Sequence, residues 1–488
     1  MKSVHFFMNH LMRNLTKQIL TATIILFSFC SYAQQNISKE PFEPFTDNAE
    51  IEVIIKGAAA GKTYLYGIYG NQNVIKDSSL ADSSGKTIFK NSKRFPEGLY
   101  YAVYSDNSVL TFLMDRNQKI YFHADKSDMI NTLQTNSAEN KIYYKSQIYE
   151  AEVARRQAEI TYGMTNSKPG SKEYSDFKEQ QNKLIEEKLQ VVKGYSEKYP
   201  NSFFAKFKLQ GQNPVLKEPK KLNGDLDTAA QVVMYRNEFW NNYDFNDERL
   251  LRTPVYFNKL KTYLNTLFPQ RVDSIMQGVK FILEKVDKGN KELFNFTVNY
   301  MLLTYKESTV MGGEKIFCYT VDNYFTIKKA YWTDSNNVKA AKMMSDDMKP
   351  SLLGAIGQDV NCKNDKGEYV SLYSIKKPIR IVYLWNPDCE HCQKETPKLK
   401  ALYDKWKSKG LEVYAINVEH EYDKWIKYIK DHDLDWINVS DDKYESKYYK
   451  KYHIFNTPGL YVLDTNNKIV AKQLMPDQLE STLELMIK

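Results

Sequence analysis

Cys389 and Cys392, separated only by Glu390 and His391, are the one place where two thiols sit close enough along the chain to act together. A disulfide across so small a loop would constrain the unfolded chain little, so the spacing suits redox chemistry or metal binding better than a structural staple. If a helix begins at Cys389, the unpaired N–H groups of its first turn and the helix dipole favour a thiolate there. The thiolate is the attacking species in disulfide exchange. Cys392, almost one helical turn further on, can then reach the mixed disulfide and resolve it. His391 can add positive character beside the nucleophile, whereas Glu390 and Asp388 disfavour the thiolate. Structural zinc would need four ligands. Cys318 and Cys362 do not form a second spaced pair, and His420, His432 and His453 are scattered. A peroxidatic cysteine within P-x-x-x-T-x-x-C is excluded, because Asn386 stands at the Thr position.

The segments around the pair alternate between strand and helix. Pro378–Trp385 is a nearly continuous apolar run, as expected of a strand buried on both faces. A helix should follow from Cys389 to about Lys409, closed by Gly410. Leu411–Val418 reads as the next buried strand, with helices over Asp423–Lys430 and Tyr444–Lys451. Strands Leu460–Leu463 and Ile469–Ala471 form a hairpin, and Pro476 opens a final helix to Ile487. This is an α/β layout.

Within it, W-x-x-x-C-x-x-C follows the first strand, Glu395 and Pro397 extend the motif to C-x-x-C-x-x-E-x-P, and Thr457-Pro458 precedes the hairpin. Together these features resemble the TlpA/ResA-like thiol–disulfide oxidoreductases, whose fold is that of thioredoxin. The resemblance covers about the last 140 residues. It implies Cys389 as attacking thiolate, Cys392 as resolving thiol and Glu395 as the acid that handles protons beside them. It further implies that Pro458 is cis, lies opposite the cysteines and, with Thr457, shapes a groove for an extended substrate segment. Glu390 and His391 would tune the potential. Two positions depart from the pattern: Tyr383 replaces a buried Asp of many thioredoxins, and Asp388 replaces the Trp of W-C-x-x-C. Glu395 could instead be a solvated helix residue, Thr457-Pro458 an ordinary trans turn, and Trp385 either packing or active-site shielding. The upstream segments resemble, more loosely, domains that precede thioredoxin domains in exported bacterial proteins.

The 488 residues are enough for three or four domains. With 42% hydrophobic and 26% charged residues the chain is ordinarily globular, which excludes a collagen or a disordered acidic chain. A net charge of +8 without a basic block argues against nucleic acid as partner. Lys2, Arg13 and Lys17 precede an apolar run, Ile19–Cys30, and Ser31-Tyr32-Ala33 supplies small residues for cleavage. Residues 1–33 therefore read as an export signal, with an uncleaved anchor as the alternative. From about Glu50 to Asp125, short alternating runs broken by Gly, Asn, Asp and Ser predict an all-β sandwich, with strands at 51–55, 63–66, 99–104, 110–114 and 119–122.

Helical periodicity then takes over, clearest where Phe177, Ile185, Leu189 and Val192 share one face and where Val272, Ile275, Val279, Ile282 and Val286 share another. Phe239, Trp240, Tyr243 and Phe245 read as core at helix junctions. Gly312-Gly313-Glu314-Lys315 lacks the spacing of a phosphate-binding loop. Cys318 and Cys362 read as buried small hydrophobes, a bridge between them remaining open.

The expected organisation is a signal peptide at 1–33, an all-β domain at 34–137, a helical domain at 138–346 and a thioredoxin-like α/β domain at 347–488. The resemblance implies an enzyme of the periplasm or cell envelope that needs no cofactor beyond the redox-active Cys389–Cys392 pair and no stable metal. Its partners would be protein thiols and disulfides and an upstream envelope electron donor. Reduction of substrate disulfides, in cytochrome c maturation or envelope redox upkeep, is the implied direction. The competing reading is an envelope binding protein whose first two domains recognise a partner and whose last domain is inactive.

Overall fold

The computed structural model describes residues 45–418, 421–441 and 443–486, so the expected export signal, Cys30 and His420 lie outside the described residues. The chain forms two compact units: one runs through Pro269 and includes Lys288–Leu293, the other holds Gln270–Asp287 and everything from Phe294. The helical stretch expected as one domain over 138–346 is thus shared between two units. Helices up to Pro269 cluster with the strands before them, and those from Phe294 cluster with the sheet after them.

The first unit is built on two four-stranded sheets. The strands are β1 (Ala49–Lys56), β2 (Gly61–Tyr69), β3 (Gln72–Ala81), β4 (Lys86–Asn91), β5 (Gly98–Val103), β6 (Val109–Met114), β7 (Lys119–Asp125) and the short β8 (Gln134–Thr135). They are ordered β4-β1-β7-β8 and β3-β2-β5-β6, with β1 and β7 parallel. Alternation places Ile51, Val53 and Ile55 inward from β1, and Phe112 meets Phe122 across the core with ring centroids 4.6 Å apart. Gly85 turns the chain into β4 at φ +80°, and a Cβ there would meet the Ile55 carbonyl oxygen at 2.1 Å.

The sequence expectation omitted β3 and β4. Each is an edge strand: β3 buries only its last residue, and β4 turns just Thr87 and Phe89 inward, so the apolar signal of each is short.

Helix Ala138–Asn166 continues from the sandwich, with Ser137 capping its first turn. Its first turn buries polar side chains that make fixed bonds. Asn140 Nδ2 donates to the Leu113 carbonyl and its Oδ1 accepts from the Leu113 N–H, both at 2.8 Å. Glu139 accepts from the Ser202 hydroxyl and from the N–H groups of Phe203 and Phe204. Further on, Phe239, Trp240, Tyr243 and Phe245 are buried at the junction of Thr228–Glu238 and Pro254–Thr266, where Lys259 lies 4.2 Å from the Phe239 ring and donates to the Gln212 carbonyl at 3.0 Å.

The second unit begins with helices Val272–Asp287, Lys291–Lys306 (from Phe294), Glu314–Asn323 and Ser335–Met348. A seven-stranded sheet follows: β9 (Asn361–Asn364), β10 (Tyr369–Ser371), β11 (Ile379–Trp385), β12 (Leu411–Asn417), β13 (Ile437–Ser440), β14 (Gly459–Leu463) and β15 (Ile469–Lys472). Its order is β10-β9-β13-β12-β11-β14-β15, with β11, β12 and β13 parallel. Every residue of β11 is buried. Ile379, Ile381, Tyr383 and Trp385 join the core shared with helix Glu390–Trp406 and helix Pro476–Met486, while Val382 and Leu384 join the core on the opposite face. Both faces are covered, as the continuous apolar run of β11 requires.

Cys318 and Cys362 are separately buried free thiols, so no bridge joins them. Cys318 donates to the Ser345 carbonyl at 3.5 Å, and burial pushes the Cys362 thiol up to about 12.

Candidate active site

The central strand β11 ends at Trp385, and after three intervening residues Cys389 forms the N-cap of helix Glu390–Trp406. The connection is tied internally. The Asp388 N–H donates to Asn386 Oδ1 at 2.7 Å, the Cys389 N–H to the Asn386 carbonyl at 3.1 Å, and Gln393 Nε2 to the Pro387 carbonyl at 2.9 Å. Cys389 is half-buried and Cys392 wholly buried, so the first sulfur is open to a partner and the second is withdrawn behind it.

The two thiols are driven apart in acidity. Burial raises the Cys389 thiol, but hydrogen bonds from the Thr457 side chain, the Cys392 N–H and thiol, and the His391 N–H together bring it below its ordinary value. When protonated, the same sulfur donates to the Thr457 carbonyl at 3.3 Å, which favours the neutral form; the several donors outweigh that single acceptor. Burial, with the bond to the Cys389 sulfur adding to it and the Asn386 N–H at 3.5 Å partly offsetting it, pushes Cys392 up to about 12. The site therefore stabilises one anion, on Cys389, with the neutral Cys392 thiol donating to it.

His391 contributes its backbone N–H to the Cys389 sulfur, while its side chain is exposed. The two acids beside the nucleophile are each held by a lysine: Asp388 by Lys424 at 2.8 Å and Glu390 by Lys394 at 2.6 Å. The expected penalty from Asp388 is therefore offset by a cation that comes from helix Tyr422–Asp431, distant in sequence.

Glu395 lies one turn beyond Cys392, its Oε1 accepting from Lys398 at 2.9 Å. Its Oε2 is buried without a hydrogen-bond partner among the described residues. Glu395 is thus a partly buried carboxylate rather than a solvated one. Tyr383, at the place of the missing Asp, hydrogen-bonds Thr396 at 2.9 Å and is raised by burial, with Cys392, Tyr428 and Glu395 adding to the shift. Trp385 is wholly buried between Tyr383 and Tyr428, with ring centroids at 6.5 and 5.1 Å, in the core that also takes Cys392. The Thr457–Pro458 bond is cis, and Thr457 meets the cysteine across the site.

Sequence reading did not place Tyr383, Thr396 and Tyr428 as one cluster, because they come from a strand and two helices. Among the described residues no group of three or more His, Cys, Asp or Glu is placed to hold a metal.

Comparison with known proteins matches residues 353–472 to the AhpC/TSA family and residues 178–349 to a domain of unknown function. The thiol–disulfide oxidoreductase ResA of Bacillus thuringiensis is 27% identical over 165 residues, covering 34% of this chain and 86% of that protein. Among solved structures, a domain of a possible thiol–disulfide isomerase from Cytophaga hutchinsonii is 36% identical, covering 28% of this chain and 93% of its own, with a TM-score of 0.27. The thioredoxin domain of a thiol–disulfide oxidoreductase from Bacteroides vulgatus is 29% identical, covering 28% of this chain and 98% of its own, also with a TM-score of 0.27.

Proposed function

We propose, from the premise that the C-terminal region is a thioredoxin-fold domain of the thiol–disulfide oxidoreductase type, that the protein is exported and reduces disulfides of client proteins in the cell envelope. The observation that carries this reading is the split between an acidified, half-buried Cys389 and a buried Cys392 held neutral beside it. The Cys389 thiolate attacks one sulfur of the client disulfide, forming a mixed disulfide and releasing the other client sulfur, which takes up a proton. Cys392 then loses its proton and attacks Cys389 Sγ. The Cys389–Cys392 disulfide forms and the second client thiol departs, so the client gains two electrons and two protons. A dithiol donor of the envelope resets the pair. Glu395 takes the proton that Cys392 gives up, a role supported by its position one turn away and its unpaired buried oxygen.

Export is supported by the signal-like composition of residues 1–33, and cytochrome c maturation is one process such a reductase would serve. The test is disulfide reduction by the full chain beside Cys389→Ser. The variant should lose activity, and Cys392→Ser should accumulate mixed disulfides with clients that identify the substrate. Equal inertness of wild type and Cys389→Ser would remove the enzyme and leave a binding protein.

A further inference from the structure

Cys392 has hydroxyl neighbours that the exchange steps above do not use. Thr396 follows it by four residues, so the two share the buried face of helix Glu390–Trp406, and both are wholly buried. The Tyr383 hydroxyl, from β11, is bonded to that of Thr396 at 2.9 Å. Tyr428 approaches the same Thr396 from helix Tyr422–Asp431, and the charge of Cys392 reaches both tyrosines. Three hydroxyls from three elements thus gather around the thiol that must become an anion for resolution.

Tyr428 differs from the other two. Tyr383 and Thr396 satisfy each other, whereas the Tyr428 hydroxyl is buried and makes no hydrogen bond of proper geometry among the described residues. Its ring is nonetheless held in place. Trp385 lies 5.1 Å from it, and His432, one turn on, stacks on it at 3.9 Å with the planes 12° apart. A hydroxyl kept from water without a partner is a cost to the fold. In the dithiol state it is a positioned donor without an acceptor, and the neighbour that gains negative charge during exchange is the Cys392 sulfur.

We infer that Tyr428 is a catalytic residue of resolution, its hydroxyl donating to Cys392 Sγ as that sulfur loses its proton. The inference rests on the exchange reaction proposed above and divides the work of its second step. Glu395 takes the proton from Cys392, and Tyr428 stabilises the charge left behind while keeping its own proton. Burial and the nearby Cys392 charge both hold that proton on the Tyr428 oxygen, as a donor requires. The Cys392 sulfur then bonds to Cys389 Sγ, the bond from Cys389 to the client sulfur breaks, and the departing client thiolate takes the proton from Glu395. A donor fixed in advance where charge develops needs no rearrangement at the moment of reaction.

The test follows the reduced full chain with a dithiobis-nitrobenzoate probe, whose thiolate absorbs on release. The first release reports attack by Cys389 on the probe, and the second reports resolution of the mixed disulfide by Cys392. Tyr428→Phe should slow the second release about tenfold more than the first, or about 1.4 kcal/mol in barrier. Because the hydroxyl has no partner at rest, the same variant should melt no lower than the wild type. A second release at the wild-type pace, equal slowing of both releases, or a lower melting temperature would overturn the inference. A wild type whose first release is no faster than that of Cys389→Ser would sink the exchange reaction and this assignment with it. Two wild-type releases left unaltered by Tyr428→Phe would sink the assignment of Tyr428 alone.

Discussion

Removing one end of the Lys472–Glu314 pair leaves the other buried and uncompensated. The Lys472 side chain is 3% exposed and that of Glu314 14%, at a separation of 2.6 Å. Breaking a pair so withdrawn from water costs about 3–5 kcal/mol, whereas replacing both partners by apolar residues is close to neutral. At roughly 2–4 °C per kcal/mol for a unit of this size, Lys472→Met should lower the melting temperature of the second unit by about 6 °C or more. Glu314→Leu should do the same, stranding an ammonium left with the Ser351 carbonyl and the Tyr461 ring, whose centroid is 5.0 Å away. The double variant should recover most of the loss. Tryptophan fluorescence is a suitable readout, because Trp240 is the only tryptophan of the chain outside that unit. If the two single losses simply add in the double variant, the pair is not coupled and does not tie helix Glu314–Asn323 to β15 as its geometry indicates.

Three further outcomes are expected. Thiolate absorbance of the reduced protein should give Cys389 a midpoint below the 9.0 of an ordinary thiol and leave Cys392 protonated through neutral pH; two equal midpoints would contradict the donor arrangement. Glu395→Gln should slow resolution of a mixed disulfide while shifting the midpoint potential little, and a resolution rate unchanged across pH would remove Glu395 from proton transfer. Burial lowers Lys259 to about 7, against about 10.4 unfolded, so between these values the unfolded chain binds more protons and stability rises with pH, by roughly 5 kcal/mol over the window. Lys259→Met should abolish that slope in denaturant melts of the first unit, while an identical slope in the variant would place the titration elsewhere.

The sequence made the chemistry legible where the signal is local. The C-x-x-C spacing, the apolar run of β11 and the proline before β14 each lie within one short segment, and each was readable there. What escaped was set by distant partners. Helix Ala138–Asn166 lacks a clear apolar stripe because Glu139 and Asn140 are buried against Phe203, Phe204 and Leu113, bonds that no periodicity announces. Strands β9, β10 and β13 are short and lie towards one edge of the sheet, so they offer few apolar positions. The departure at Tyr383 read as the loss of an acid; in the fold it is a hydroxyl bonded to Thr396 beneath the cysteines.

The pairing of Asp388 with Lys424 and of Glu390 with Lys394 leaves the surroundings of the nucleophile electrically balanced. Mobile ions screen exposed charges beyond about 8 Å at physiological ionic strength, but they do not reach peptide dipoles aimed at a sulfur from bonding distance. The acidity of Cys389 comes from such dipoles and from neighbouring hydroxyl and thiol donors. Its reactivity is therefore insulated from the ionic strength of the surrounding medium.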